Sequence, residues 1–172
     1  MICPDCSHDN ITGVDLCEAC GQPLAEFDPA GSDLEQSISR HTVRVLVPKR
    51  PVTVDSSTPV RECIREMADR GFGCLLVEED GKLAGVFTER DVLDRISGDL
   101  DLAEAPVAEF MTRDPVTISR NDSIAYALHQ MDLGGYRHMP IVDAEGRPNG
   151  IISVRDILRF LCVRFAALRD DD

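Results

Sequence analysis

The chain has 172 residues, 43% of them apolar, enough for one ordinary domain and a small appendage. Its formal net charge of −13 lacks the basic footprint by which nucleic-acid binders hold phosphates, and it argues equally against anionic membranes. No apolar run is long enough to span a bilayer, and the start, Met1-Ile2-Cys3-Pro4, has neither the basic nor the apolar stretch of a signal peptide; a cytoplasmic protein whose seven cysteines stay reduced is expected.

Cys3-x-x-Cys6 comes first, and Cys17-x-x-Cys20 follows ten residues later. Four thiolates in two such pairs can close a tetrahedral Zn²⁺ site, whereas a disulfide pair or free thiols fit a reducing compartment less well. Four Cys ligands leave no open position, so the zinc is expected to be structural and to supply the folding energy of a segment (1–24) too short for its own core. His8 reads as an exposed turn residue. Residues 25–41 read as a linker, with turn chemistry at Asp28-Pro29-Ala30-Gly31-Ser32 and then a short helix carrying Leu34, Ile38 and His41 on one face. Residues 1–41 hold eight acids and one Arg, a net of −7, leaving 23 acids and 17 bases, a net of −6, for residues 42–172. With one base near the cysteines, this end is better suited to contact protein than nucleic acid.

From residue 42 the sequence repeats. Pro51-Val52-Thr53-Val54 returns as Pro115-Val116-Thr117-Ile118, an offset of 115 − 51 = 64, which also places Met67 on Met131 and Gly71 on Gly135. Past the turns at Gly81 and Gly146 the offset is 65. One supersecondary unit used twice suggests an internal pseudo-dimer. In the first copy (42–103) the spacing predicts a strand over 43–47 and a short strand around Thr53. A helix should follow, capped by Thr58 with Pro59 at its first position and Val60, Cys63, Ile64 and Met67 inward. A hairpin over 74–77 and 83–87 and a helix over 89–96 complete it. The second copy (104–168) repeats this order: a strand at 116–118, a helix capped by Asn121-Asp122, a hairpin from 139–142 to 150–152, and a longer helix over 156–168. The chain closes on the acidic Asp170-Asp171-Asp172. Cys63, Cys74 and Cys162 fall on apolar patterns and read as small core residues.

Gly85-Val86-Phe87-Thr88-Glu89-Arg90-Asp91 returns as Gly150-Ile151-Ile152-Ser153-Val154-Arg155-Asp156. A strand end, a hydroxyl at the N-cap and a carboxylate three residues on form a capping box. The same group can serve a ligand: free N–H groups at the helix start suit a phosphate, and the carboxylate can accept from sugar hydroxyls. The two readings are compatible, and duplication adds weight to the second. Arg90 and Arg155 read as exposed helix residues.

The order, spacing and duplication of Pro-Val-Thr-Val/Ile, GFGCLLVEEDG with GYRHMPIVDAEG, and GVFTERDVL with GIISVRDIL resemble the cystathionine β-synthase (CBS) domain family, as a tandem pair. CPDCSHDNITGVDLCEACGQPL is similar to the short zinc-ribbon family, with Ser7 standing where Gly is usual. The resemblance implies an α+β fold of two β-α-β-β-α repeats packed as a pseudo-twofold pair, with a small four-cysteine zinc ribbon (Cys3, Cys6, Cys17, Cys20) at the N-terminus. It implies two clefts that bind adenosine compounds such as AMP, ADP, ATP or S-adenosylmethionine. Asp91 and Asp156 would hold the ribose, Thr88 and Ser153 would be the motif hydroxyls, and Thr53 and Thr117 the early-strand polar residues. Arg137 and His138, aligned with Gly73 and Cys74, would meet phosphate, in a cleft the sequence leaves open. A regulatory, non-enzymatic module that homodimerises and signals to an unidentified protein partner is expected; the alternative is a ligand-independent adaptor acting through its ribbon.

Overall fold

The computed structural model describes all residues except 1, 4, 11–13, 15, 23, 25–32, 97–100 and 171–172, and the side chains of 33–35, 101–102 and 167–170 are also left aside. The turn expected at 28–32, the Leu34 side chain and most of the acidic tail lie outside the described residues. The chain divides into two compact units, Met1–Ser37 and Ile38–Asp172.

In the first unit the two Cys pairs form matching knuckles. Cys3 N–H donates to His8 O at 2.8 Å and Ser7 N–H to Cys3 O at 2.9 Å; Cys17 N–H donates to Gln22 O at 2.7 Å and Gly21 N–H to Cys17 O at 2.8 Å. Each turn requires a left-handed residue after its second cysteine, Ser7 at φ 59° and Gly21 at φ 74°. Cys3, Cys17 and Leu24 are buried together with Val14 beside them. Buried Asn10 ties the knuckles: its amide donates to His8 O, and its carbonyl accepts from Glu18 N–H, both at 3.0 Å.

The elements in chain order are α1 (Asp33–Arg40), a 3₁₀ turn (Val43–Leu46), β1 (Thr53–Asp55), α2 (Val60–Arg70), β2 (Cys74–Glu79), β3 (Lys82–Thr88), α3 (Glu89–Asp91) running into a π turn (Val92–Ile96), 3₁₀ turns at Asp101–Glu104 and Val107–Glu109, β4 (Thr112–Arg113), α4 (Ile124–Gly134), β5 (His138–Val142), β6 (Pro148–Ser153) and α5 (Val154–Asp170). One sheet has the order β1-β2-β3-β4, with β1 parallel to β2 and the rest antiparallel; β5 and β6 form a second, antiparallel sheet. Helices α2 and α4 end alike. Gly71 and Gly135 are left-handed C-caps, and the next N–H, of Phe72 or Tyr136, reaches back to Met67 O or Met131 O.

Several local expectations are corrected. Residues 43–46 form a 3₁₀ turn and not a strand, because Val43 is drawn into the second repeat's core and its N–H is taken by Asp122 O. Residues 116–118 form no ladder, only a parallel bridge between Ile118 and Ile141. Pro59, not Thr58, is the N-cap of α2, and Ser123, whose hydroxyl accepts from Tyr126 N–H, caps α4, while Asp122 accepts from Ser119 N–H. Cys63 and Cys74 are buried, but Cys162 is exposed, since Ile157, Phe160 and Leu161 supply the inward face of α5.

The repeats exchange their entry segments. Residues 105–113, second-repeat by sequence, pack on the first core: Val107, Phe110 and Met111 join Val60, Met67, Leu75 and Phe87, and Val107 N–H donates to Thr58 O. Val43 and Leu46 pack reciprocally on the second core of Ile124, Met131, Ile141 and Ile157. The bridges obey the same symmetry, Thr42 to Ser123 and Pro106 to Pro59, each pair shifted by 64. Strand β2 is buried on both faces. Leu75 and Val77 point to the helices, while Cys74 and Leu76 cluster with Val86 of β3 and with Ile151 of the other sheet. Val86 and Ile151 are equivalent at offset 65, which places the pseudo-twofold between them. Among the described residues no helix is long and apolar enough to cross a membrane.

Candidate functional site

Strand β3 ends at Thr88, and the chain turns into α3 with Thr88 extended at φ −127°. Asp91 Oδ2 accepts from Thr88 N–H at 2.9 Å and from Thr88 Oγ1–H at 2.7 Å, and Asp91 N–H returns a longer bond of 3.4 Å to Thr88 Oγ1. At the end of β6, Asp156 Oδ2 accepts from Ser153 N–H at 2.8 Å and Ser153 Oγ–H at 2.6 Å. The reciprocal capping box is complete at Thr88–Asp91, and in both copies the hydroxyl and N–H fix the carboxylate through Oδ2. Arg95 Nε stands 3.8 Å from Asp91 Oδ1, and Lys49 Nζ stands 3.4 Å from Asp156 Oδ1. Burial alone would raise the Asp156 carboxyl, but the Ser153 hydroxyl and N–H and the Lys49 charge outweigh it and hold it below 3.8.

Each carboxylate borders a cleft built from both repeats. The first, about 390 Å³, takes Val86, Thr88, Asp91 and Thr112 from one side and Val116, Tyr136, Arg137 and His138 from the other. The second, about 60 Å³, takes Ile151, Ser153 and Asp156, then Lys49, Val52, Phe72, Gly73 and Cys74. Apart from Lys49 and Thr112, which face each other's counterparts across the exchanged segments, the two sets correspond at offsets 64 and 65. Arg137 and His138 thus face the Asp91 cleft, and His138 also edges the other. Burial lowers the His138 pKa, against the pull of the Asp156 and Glu89 carboxylates, so the ring is neutral near pH 7. Cys74 is pushed up to about 12 by burial and the Asp91 charge, which keeps it a thiol with little reactivity.

Of the residues singled out in the sequence, the structure brings Thr88, Asp91, Arg137 and His138 to one cleft and Ser153 and Asp156 to the other. Thr53 is exposed and lies on an open groove of about 990 Å³ with Arg70 and Arg147, which adjoins the Asp156 cleft through Arg50, Val52 and Phe72; Thr117 lines neither motif cleft. The neighbouring valines, Val52 and Val116, line the motif clefts. Phe72 and Tyr136 were legible as an aligned aromatic pair. Lys49 was not, since nothing in the sequence brings residues 43–50 to the second repeat. Arg90 and Arg155 are exposed.

The four N-terminal sulfurs lie within 4.8 Å of one another, with Cys3 Sγ to Cys20 Sγ at 3.6 Å and Cys6 Sγ to Cys17 Sγ at 3.5 Å. A disulfide would bring two sulfurs to about 2.05 Å, whereas a tetrahedral ion with bonds of about 2.3 Å sets ligand sulfurs about 3.8 Å apart. Backbone N–H groups of Cys20 and Ala19 reach Cys17 Sγ, and those of His8 and Gln22 reach Cys6 and Cys20, as suits anionic sulfur. The donor set fits a metal ion; His8 is exposed and outside it.

The family profile described as CBS domain matches residues 43–98 and again 107–163. An uncharacterized 17.7 kDa protein of Acidianus ambivalens is 34% identical over 122 residues, 70% of this chain and 69% of that one. A CBS domain-containing protein of Arabidopsis thaliana is 32% identical over 123 residues, but the chain spans only 22% of its length. Among solved structures, the CBS domain protein PAE2072 from Pyrobaculum aerophilum, complexed with AMP, superposes with a TM-score of 0.65 at 23% identity, over 74% of this chain and 99% of that one. The CBS domain pair of protein MJ0100, in complex with 5′-methylthioadenosine and S-adenosyl-L-methionine, gives a TM-score of 0.66 at 22% identity, over 72% and 98%. The duplicated strand–hydroxyl–carboxylate unit, the sheet-to-sheet pairing of the repeats and the double profile match agree: the chain belongs to the CBS domain family, as a tandem pair.

Proposed function

We propose that this protein is a regulatory module that binds an adenosine-type ligand between its repeats and passes its occupancy to a protein partner. The observation that carries the reading is the duplicated carboxylate, held at a cleft by one oxygen with the other left for a ligand hydroxyl. The Asp91 cleft, at about 390 Å³, falls in the range of small-molecule sites. It pairs a sugar-binding carboxylate with the Arg137 fork, which suits phosphate oxygens. The binding of AMP by one structural neighbour and of 5′-methylthioadenosine and S-adenosylmethionine by another supports the same ligand class. Because each cleft draws on both repeats, a ligand that fits one relative placement better than another would shift it, as a switch requires. We place the protein in the cytoplasm and read its role as regulatory rather than catalytic.

The N-terminal cysteines would hold Zn²⁺, which supplies the crosslink and folding energy of that unit. Exposed Ile2 and Leu16 there give a surface for a protein partner, and they favour the adaptor reading should the clefts prove empty. Tyr126 and Leu133 on α4, with Leu158 and Phe165 on α5, offer apolar surface for a homodimer. The test is calorimetric titration of zinc-loaded protein with AMP, ATP, S-adenosylmethionine and NADH, beside Asp91→Ala/Asp156→Ala. Saturable binding lost in the double variant is expected; no binding across the panel would refute the sensor and leave the adaptor.

A further inference from the structure

The two clefts are copies in sequence, but the charges around them differ. The Asp156 cleft runs through Arg50, Val52 and Phe72 into the open groove of about 990 Å³. Alone, at about 60 Å³, it is below the few hundred cubic ångströms of a small-molecule site; joined to the groove it reaches that size. Most charges along this joint space are paired: Lys49 with Asp156 at 3.4 Å, Arg70 with Glu66 at 2.6 Å and Arg147 with Asp143 at 2.8 Å. Among the described residues, Arg50 and Glu78 are left without a side-chain partner. One free guanidinium and one free carboxylate therefore share the groove.

We propose that the clefts take different adenosine compounds: a nucleotide at Asp91, and at Asp156 a nucleoside with a zwitterionic amino-acid tail that lies along the groove, its carboxylate on Arg50 and its ammonium on Glu78. This rests on the reading above. At the Asp91 cleft, Arg95 stands 3.8 Å from Asp91, and the charges left over are Arg90 and Arg137 against Glu89. That surplus of cation suits a phosphate dianion, with Arg137 as its fork. The groove has no such surplus. A dianion there would meet one guanidinium and be opposed by Glu78, whereas a zwitterion satisfies both. His138 borders both clefts and so does not distinguish them. Lys49 is 57% exposed, so its ion pair is a weak hold on Asp156, and a ribose hydroxyl can take its place.

Calorimetric titration with AMP, with S-adenosylmethionine and with 5′-methylthioadenosine, which lacks the amino-acid tail, tests this, with circular dichroism confirming the fold of each variant. AMP binding should be lost in Asp91→Ala and S-adenosylmethionine binding in Asp156→Ala, and saturating AMP should not displace S-adenosylmethionine from wild type. Arg50→Ala and Glu78→Gln should each weaken S-adenosylmethionine at least about tenfold more than 5′-methylthioadenosine. Displacement of one compound by the other, loss of both in the same single variant, equal losses of S-adenosylmethionine and 5′-methylthioadenosine, or binding of AMP alone would overturn the proposal while leaving the sensor reading intact. Failure of folded wild type to bind any of the three would instead sink the nucleoside reading and this inference with it.

Discussion

Gly85 and Gly150 occupy the same place in the two repeats, yet alanine should have different consequences at each. A Cβ on Gly85 would lie 2.3 Å from Met111 Sδ, 2.8 Å from Met111 Cγ and 2.9 Å from Thr112 O. Met111 is buried in the first core, and Thr112 O is backbone, so neither can swing aside. Relief requires β4 to part from β3. Overpacking of this kind costs about 1–3 kcal/mol, and loosening the short β3–β4 ladder adds roughly 1 kcal/mol. On Gly150 the nearest atoms are Arg120 Nη2 at 3.2 Å and Ile141 Cδ1 and Pro48 Cβ at 3.3 Å, which need yield only tenths of an ångström; the cost should stay below about 1 kcal/mol. In urea unfolding followed by far-ultraviolet circular dichroism, Gly85→Ala should lose about 2–4 kcal/mol, or roughly 5–10 °C in a thermal melt, with Gly150→Ala close to wild type. Because Thr112 lines the Asp91 cleft, AMP affinity should fall with the first variant only. Equal losses from the two variants, or an unperturbed Gly85→Ala, would refute the steric reasoning and with it the tight exchange of segment 105–113.

Ser7 takes the left-handed conformation that Gly21 takes in the matching knuckle, so Ser7→Gly should stabilise the N-terminal unit by about 1 kcal/mol. Zinc retention against a competing chelator should improve, and a weaker hold would contradict the matched-knuckle geometry. Arg137→Ala should weaken AMP binding by at least about tenfold, with S-adenosylmethionine, which has no phosphate, much less affected; equal losses in calorimetry would remove Arg137 from phosphate. The Asp156 carboxyl is held below 3.8 in the folded chain, so it contributes stability above that pH and loses it as the pH falls through the folded value. Asp156→Asn should therefore be less stable than wild type at neutral pH, with the gap narrowing below about pH 4; a gap that stays constant through the acid range in urea midpoints would count against it.

The sequence made the duplication legible because each repeat must bury the same helix face and turn at the same glycines, so Met67 and Met131, Gly71 and Gly135, and Asp91 and Asp156 keep register. The capping box and the cysteine knuckles were legible for a related reason: their chemistry is local, spanning three or four residues. The exchange of segments 43–50 and 105–113 was not. Its hydrogen bonds, such as Val43 N–H to Asp122 O, join residues about eighty apart and leave no periodicity to read. The same gap explains the remaining misjudgements. Val43 alternates like a strand residue but is held by a partner segment, and Lys49 reaches Asp156 only because that segment joins the second repeat.

That exchange also bears on how a ligand could be sensed. Were each repeat to bind with its own residues alone, occupancy would rigidify one repeat and tell the other nothing. Here Thr88 and Asp91 come from the first repeat, Arg137 and His138 from the second, and Thr112 from a segment that belongs to the second by sequence and to the first by packing. A molecule spanning that cleft contacts both sheets and the strap between them, and its binding energy depends on their spacing. His138 extends the connection, since its ring edges the Asp156 cleft as well and feels both Asp156 and Glu89. His138 thus lines the Asp91 cleft and forms a wall of the other, beside the segment that carries Lys49. Under the proposed function, a displacement caused by binding at Asp91 would be felt where Lys49 and Asp156 meet, at the ion pair that ties this segment to the second repeat's motif.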